Sequence, residues 1–280
     1  MAIRRLSRGG ISEAAKRLLL GVALGVVAVL AASSICFQAP RPQLQHARRQ
    51  GLSSRASFGR LFVEEAPAQH DATVIWLHGL GDTGEGWADV GPQLQQLVPS
   101  ARFLFPTAQT QPVSVNSGMS MPSWFDINSL EPELFALNPP GFAESVAYVL
   151  KLVQEQIDAG IAPERIVLAG FSQGGAVVLE AALGESRTAV GGVLVLSSFL
   201  GSKLPKSGSA EALPPVHFFH GEADPVVPMD WGQRSFSLVQ AAGAGATFRS
   251  YPDMQHSLCQ NELHDIAAAL SKLLGSEQAL

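Results

Sequence analysis

Arg165-Ile166-Val167-Leu168-Ala169 runs without a break into Gly170-Phe171-Ser172-Gln173-Gly174, and the helix-competent stretch Gly175 to Leu183 follows at once. An apolar run of strand length, a tight turn and a helix in direct succession define an elbow with a serine at its apex. The glycines two residues to either side suit a turn so tight that a side chain would collide with the adjoining strand or helix. Such an elbow presents the hydroxyl of Ser172 at a helix N-terminus, where backbone N–H groups and the helix dipole favour developing negative charge. Gly-x-Ser-x-Gly alone is a weak pattern, and its placement between strand and helix is what gives it weight.

If Ser172 is a nucleophile on such a fold, an acid and then a histidine should follow it in the chain. Of the seven histidines, only His256 and His264 lie beyond a suitable acid. His264 falls within Glu262 to Leu274, where Leu263, Ile266, Leu270, Leu273 and Leu274 recur at helical spacing, which puts it on a solvent-facing helix. His256 instead follows the strand-like Thr247-Phe248-Arg249-Ser250-Tyr251 and a short turn, the place from which a loop presents an imidazole above a sheet. For the acid, Val216-His217-Phe218-Phe219-His220 reads as a buried strand that delivers Glu222 and Asp224. Asp224 is preferred because Pro225 restricts its backbone, and Glu222 is second choice. Glu180 and Glu185 should point away from the cleft, and Asp253 reads as a turn-former.

A serine hydroxyl is a weak nucleophile. His256 would take its proton during attack, and Asp224 would hold the imidazole tautomer and stabilise the imidazolium. Two N–H donors are also needed for the oxyanion. Gln173, next after the serine, would supply one. The other would be Leu80, in the glycine-punctuated turn after Val74-Ile75-Trp76-Leu77, with His78 bracing that turn.

These segments resemble the acyl-protein thioesterase and carboxylesterase family of small α/β-hydrolases, which includes lysophospholipase-like members. The resemblance rests on Trp76-Leu77-His78-Gly79-Leu80-Gly81-Asp82-Thr83-Gly84, Met121-Pro122-Ser123-Trp124-Phe125-Asp126-Ile127, Gly170-Phe171-Ser172-Gln173-Gly174-Gly175-Ala176, His220-Gly221-Glu222-Ala223-Asp224-Pro225-Val226-Val227-Pro228 and His256-Ser257. It covers roughly Ala72 to Leu274 and implies Ser172, Asp224 and His256 as the triad, with Leu80 and Gln173 shaping the oxyanion hole. It also implies that Met121 and Trp124 line an acyl-binding groove, although a core-packing Trp and Phe pair explains Trp124 equally well. Two stretches depart from the family pattern, Ser129 to Gly141 and Ser197-Ser198-Phe199-Leu200, so acyl-length preference does not transfer.

The expected fold is α/β, an α/β-hydrolase whose mostly parallel sheet carries helices on both faces. Strand-like runs near Val74, Phe103, Val167, Val195, Phe218 and Phe248 alternate with helix-like segments. The clearest helix places Phe142, Val146, Val149, Leu150, Val153 and Ile157 along one side. Residues 61–280 are assigned to this catalytic domain, and residues 1–60 to a targeting or membrane-anchor region.

Charge supports that division. Residues 1–60 carry ten Lys or Arg against one Glu, and the remainder nine against twenty-three acidic residues. The acidic body speaks against nucleic-acid binding. Residues 18–37 form an uncharged apolar run long enough to span a bilayer, and residues 38–60 are rich in Ser and Arg without an acid. Three readings stay open: a signal anchor associating the enzyme with membranes, a bipartite plastid-type presequence, and a misassigned start.

Neither cysteine has a partner within the catalytic domain, and Cys259 reads as packing at the opening of the last helix. No metal-ligand spacing and no phosphate or dinucleotide fingerprint occurs, so no cofactor is expected. The sequence therefore predicts a serine hydrolase cleaving acyl thioesters or esters, foremost S-acylated cysteines on proteins. Alternatives are a general carboxylesterase or lysophospholipase acting on small acyl esters or lysolipids, and, from another class, an inactive lipid- or protein-binding module.

Overall fold

The computed structural model describes residues 57–129, 138–204 and 212–275. The apolar run 18–37, most of the Ser/Arg-rich segment and most of the departure at Ser129 to Gly141 lie outside these residues. Among the described residues no helix is long and apolar enough to cross a membrane.

Seven strands form one sheet: β1 Leu61–Glu64, β2 Ala72–Leu77, β3 Ala101–Pro106, β6 Ile166–Phe171, β7 Gly192–Leu196, β8 Val216–Gly221 and β9 Ala246–Tyr251. Their order is β1-β3-β2-β6-β7-β8-β9, with β1 antiparallel to β3 and every other pairing parallel. The six strands expected from sequence are all present. Parallel neighbours need covered crossovers, so the central strands read as continuous apolar runs, and every residue of β2, β6 and β7 is buried. Strand alternation then divides the core. Ile75 and Leu77 join one apolar layer with Val149, Val153, Val177 and Phe218, whereas Val74 and Trp76 join the opposite layer with Leu94, Phe103, Ile266 and Leu270.

The helices are α1 Gly84–Trp87, α2 Val90–Leu94, α3 Phe142–Asp158, α4 Gln173–Leu183, α5 Met229–Ala241 and α6 Gln260–Leu273. The apolar stripe of α3 faces the sheet, burying Phe142, Val146, Val149 and Val153. Sequence patterning did not reveal the hairpin β4 Thr110–Val113 and β5 Met119–Pro122. Its Pro112 and Pro122 and its lack of apolar alternation hide it, and the turn is closed by Ser117 and Gly118 at positive φ.

The packed body also starts earlier than residue 61. Phe58 stacks on Tyr148 with ring centroids 3.9 Å apart, and the Gly59 N–H donates to the Thr107 carbonyl at 2.8 Å. Phe58 thus packs its partly buried ring against the body from the N-terminal side of the expected boundary.

Candidate active site

Four loops leave the carboxyl ends of parallel strands and bring the candidate residues together, as open α/β sheets arrange their sites. Leu80 follows β2, Ser172 follows β6, Asp224 follows β8 and His256 follows β9.

Ser172 sits at φ 52° and ψ −120°, a conformation that costs a non-glycine residue about 1–3 kcal/mol and must be enforced by its surroundings. Enforcement comes from both sides of the turn. The Ser172 N–H donates to Leu196 O at 2.8 Å, and its carbonyl accepts from Ser198 Oγ at 2.5 Å. A Cβ on Gly170 would stand 2.5 Å from the Gly174 carbonyl carbon, and one on Gly174 would stand 2.6 Å from Leu77 O. The helix therefore starts in backbone contact with the neighbouring strand. The departing segment Ser197 to Leu200 has a place here, because Ser198 ties the elbow and the Leu200 N–H is held by Ser235 Oγ at 2.9 Å.

His256 Nδ1 donates to Asp224 Oδ2 at 2.7 Å, with both side chains almost fully buried. The other oxygen, Asp224 Oδ1, accepts from the N–H groups of Val226 and Val227, each at 2.9 Å. Three donors thus satisfy a buried carboxylate that would otherwise be costly. The His256 ring packs on Phe171, the residue before the serine, at 4.6 Å between centroids. Its Nε2 is buried and makes no hydrogen bond among the described residues. That leaves a lone pair available for a proton, and such bonds commonly tighten only when substrate is bound. The alternatives lie elsewhere: Glu222 accepts from Ser250 Oγ at 2.7 Å on the surface, His264 is solvent-exposed on α6, and Asp253 occupies a turn at φ 59°.

Leu80 and Gln173, the candidate oxyanion donors, are both buried. Among the described residues neither N–H donates to a protein acceptor in the turns, whereas the adjacent Gly81 N–H is committed to Pro122 O at 2.8 Å. The Leu80 turn is braced by His78, whose Nδ1 bonds the Gly79 carbonyl at 2.6 Å and whose Nε2 accepts from the Ala108 N–H at 3.0 Å. Burial is the main reason that His78 titrates low, at about 4, so it stays neutral and keeps both bonds.

Trp124 is fully buried, and its indole N–H donates to His78 O at 2.9 Å. It presents no surface to a groove and is a brace for the Leu80 turn, which corrects its expected place in the channel wall. Met121 is only partly buried, with Sδ lying over Gly81, 3.6 Å from where a Cβ would stand.

Sequence reasoning overlooked the side chain of Gln173. Its Oε1 accepts from the Trp124 N–H at 2.9 Å, while Nε2 donates to Phe125 O at 2.7 Å and Ser123 Oγ at 3.0 Å. It clamps the segment after β5 to the start of α4. Cys259 also does more than pack: it caps α6, with Sγ accepting from the Glu262 N–H at 3.4 Å.

An elbow serine on a mostly parallel sheet, followed in chain order by an acid and a histidine at strand ends, defines an α/β-hydrolase. Residues 59–274 match the family model described as Phospholipase/Carboxylesterase, and the chain belongs to that family. Acyl-protein thioesterase 1 of Gibberella zeae is 42% identical over 231 residues, covering 78% of this chain and 98% of the relative. Acyl-protein thioesterase 1 of Saccharomyces cerevisiae is 37% identical over 227 residues, with the same coverage. Among solved structures, Zea mays acyl-protein thioesterase 2 superimposes with a TM-score of 0.63 at 28% identity, covering 78% of this chain and 100% of that one. SOBER1 of Arabidopsis thaliana gives a TM-score of 0.65 at 29% identity, covering 72% and 99%.

Proposed function

We propose that this chain is a serine hydrolase that cleaves acyl thioesters and esters, with S-acylated cysteines on proteins as its foremost substrates. The observation that carries the reading is the His256 imidazole held by Asp224 at Nδ1, left open at Nε2, and packed on Phe171, the residue before the strained elbow serine. Ser172 Oγ attacks the acyl carbonyl as His256 Nε2 takes its proton. The oxyanion is received by the free N–H groups of Leu80 and Gln173. Collapse releases the thiol or alcohol, protonated by His256, and leaves an acyl ester on Ser172. Water activated by the same imidazole then releases the acid.

An acyl chain needs an apolar wall, and three partly buried apolar side chains lie near the candidate residues in the chain or in space. Met121 lies over the Leu80 turn, Leu200 follows the serine-binding Ser198, and Val226 follows Asp224. The names of the relatives favour a protein-bound thioester, while the family description keeps carboxylic esters and phospholipids in range. We further propose that the residues before Ser57 form a separable leader, which sequencing of the mature N-terminus tests.

The functional test compares a palmitoylated-cysteine peptide with a short-chain aryl ester, using the full chain and its Ser172→Ala variant. Deacylation of the peptide, with kcat lost in the variant by about three orders of magnitude or more, supports the proposal. Cleavage of the short ester alone makes the protein a carboxylesterase. No turnover of either, with no labelling by a fluorophosphonate, turns the reading to a binding module.

A further inference from the structure

Besides Asp224 and His256, the histidines and carboxylates buried in the described body are His78, His220 and Glu262. His220 is the one that touches the proposed acid. It is the penultimate residue of β8, one before Gly221, and its Nε2 donates to the Val227 carbonyl at 2.8 Å. The N–H of that same Val227 donates to Asp224 Oδ1. Val227 therefore links the imidazole to Asp224 through two hydrogen bonds across the loop. His220 Nε2 also lies 3.7 Å from Asp224 Oδ2, the oxygen that receives His256 at 2.7 Å. A single carboxylate oxygen thus stands between two buried imidazoles.

The His220 ring has little freedom to leave this place. It stacks along Phe248 at an interplanar angle of 14°, and α5 presses on its other edge, where a Cβ on Gly232 would come within 2.5 Å of Nδ1. Resting on the triad reading above, we propose that His220 is a positioning residue, a neutral imidazole that clamps the Gly221–Val227 loop so that Asp224 Oδ2 serves His256 alone. Neutrality matters because an imidazolium at 3.7 Å would compete with His256 for that oxygen. Burial is the largest influence keeping His220 neutral. The charges facing it are Asp224 and His256 from the site loops and Asp230 from α5, with the Val227 carbonyl as its hydrogen-bond partner.

The test exploits amide geometry, since a glutamine places its N–H₂ where His Nε2 sits and an asparagine places it where Nδ1 sits. His220→Gln should retain kcat on the aryl ester within about threefold. His220→Asn cannot reach Val227 and should lose kcat by about tenfold to a hundredfold at unchanged KM, the scale of loss expected from a misplaced catalytic group. If the Asn variant is not recovered folded, His220→Leu, apolar and without a donor, replaces it with the same expectation. Equal kcat in the two variants, or a loss carried by KM alone, overturns the proposal. Asp224→Asn, assayed alongside, separates this from failure of the triad reading. If it keeps full activity the triad itself is wrong; if it collapses kcat while the donorless His220 variant does not, only the role of His220 falls.

Discussion

Glu262 gives the sharpest test of how burial governs this body. It is the third residue of α6, fully buried, and neither carboxyl oxygen has a hydrogen-bond partner among the described residues. Loss of hydration drives its pKa up from 4.5 to about 8. The Cys259 backbone N–H opposes the rise, and the charges of Asp265 and Asp224 add to it. The sign follows directly. The folded protein retains a proton that the unfolded chain releases near 4.5, so the stabilisation present below that pH is lost progressively as pH rises toward 8. Each pH unit across that window is worth about 1.4 kcal/mol, which makes the loss about 4 kcal/mol by pH ~7.5.

Glu262→Gln keeps the shape and removes the titration. Urea unfolding followed by tryptophan fluorescence, at intervals from about pH 5 to about pH 8, should show the variant and wild type nearly equal at the acid end. The variant should then become the more stable by about 1.4 kcal/mol per pH unit. A difference that stays constant with pH would refute the reasoning. A variant less stable near pH 8 would show that the carboxylate caps α6 as an anion reaching back to the Cys259 N–H.

His78 should act in the opposite direction. Its pKa is lowered to about 4, so its contribution is intact above about 6.5 and lost as pH falls toward 4, at a cost of about 3 kcal/mol. His78→Asn should flatten that acid slope in urea titrations. Gly174→Ala drives a Cβ to 2.6 Å from Leu77 O, so the elbow must shift, and fluorophosphonate labelling of Ser172 should slow by about a hundredfold. Gln173→Leu removes the acceptor of the buried Trp124 N–H and one of the two donors to the Phe125 carbonyl, and thermal unfolding should report a loss of about 1–3 kcal/mol at unchanged secondary structure.

What could be read in the sequence was local. The six core strands announce themselves as apolar runs because both faces are covered, and the elbow is legible because its glycines, serine and helix start are contiguous. The candidate residues followed from chain order and strand ends. Hidden from sequence was whatever depends on contacts between distant segments. Gln173 was visible as a backbone donor, but its side chain works on residues about fifty positions away. His220 appeared only as a strand residue, since its function depends on the turn that brings Val227 back over the strand end. Trp124 was open to two readings for the same reason, groove wall or core packing, and it is fully buried with its indole N–H on His78 O. Phe58 was assigned to the leader by composition, which carries no record of its stacking on Tyr148.

Three buried histidines surround the site, and their bonds distinguish them more firmly than their order in the chain. An imidazole acts as a base only through a ring nitrogen whose lone pair is free and whose opposite nitrogen is oriented. His78 has both nitrogens committed, one to the Gly79 carbonyl and the other to the Ala108 N–H. His220 spends Nε2 on Val227 and has Nδ1 against the backbone of Gly232. His256 alone gives Nδ1 to a carboxylate and keeps Nε2 open, with its ring steadied by the residue beside the serine. The other two imidazoles serve the same site by remaining neutral. One holds the turn that carries a proposed oxyanion donor, and the other holds the loop that carries the proposed acid.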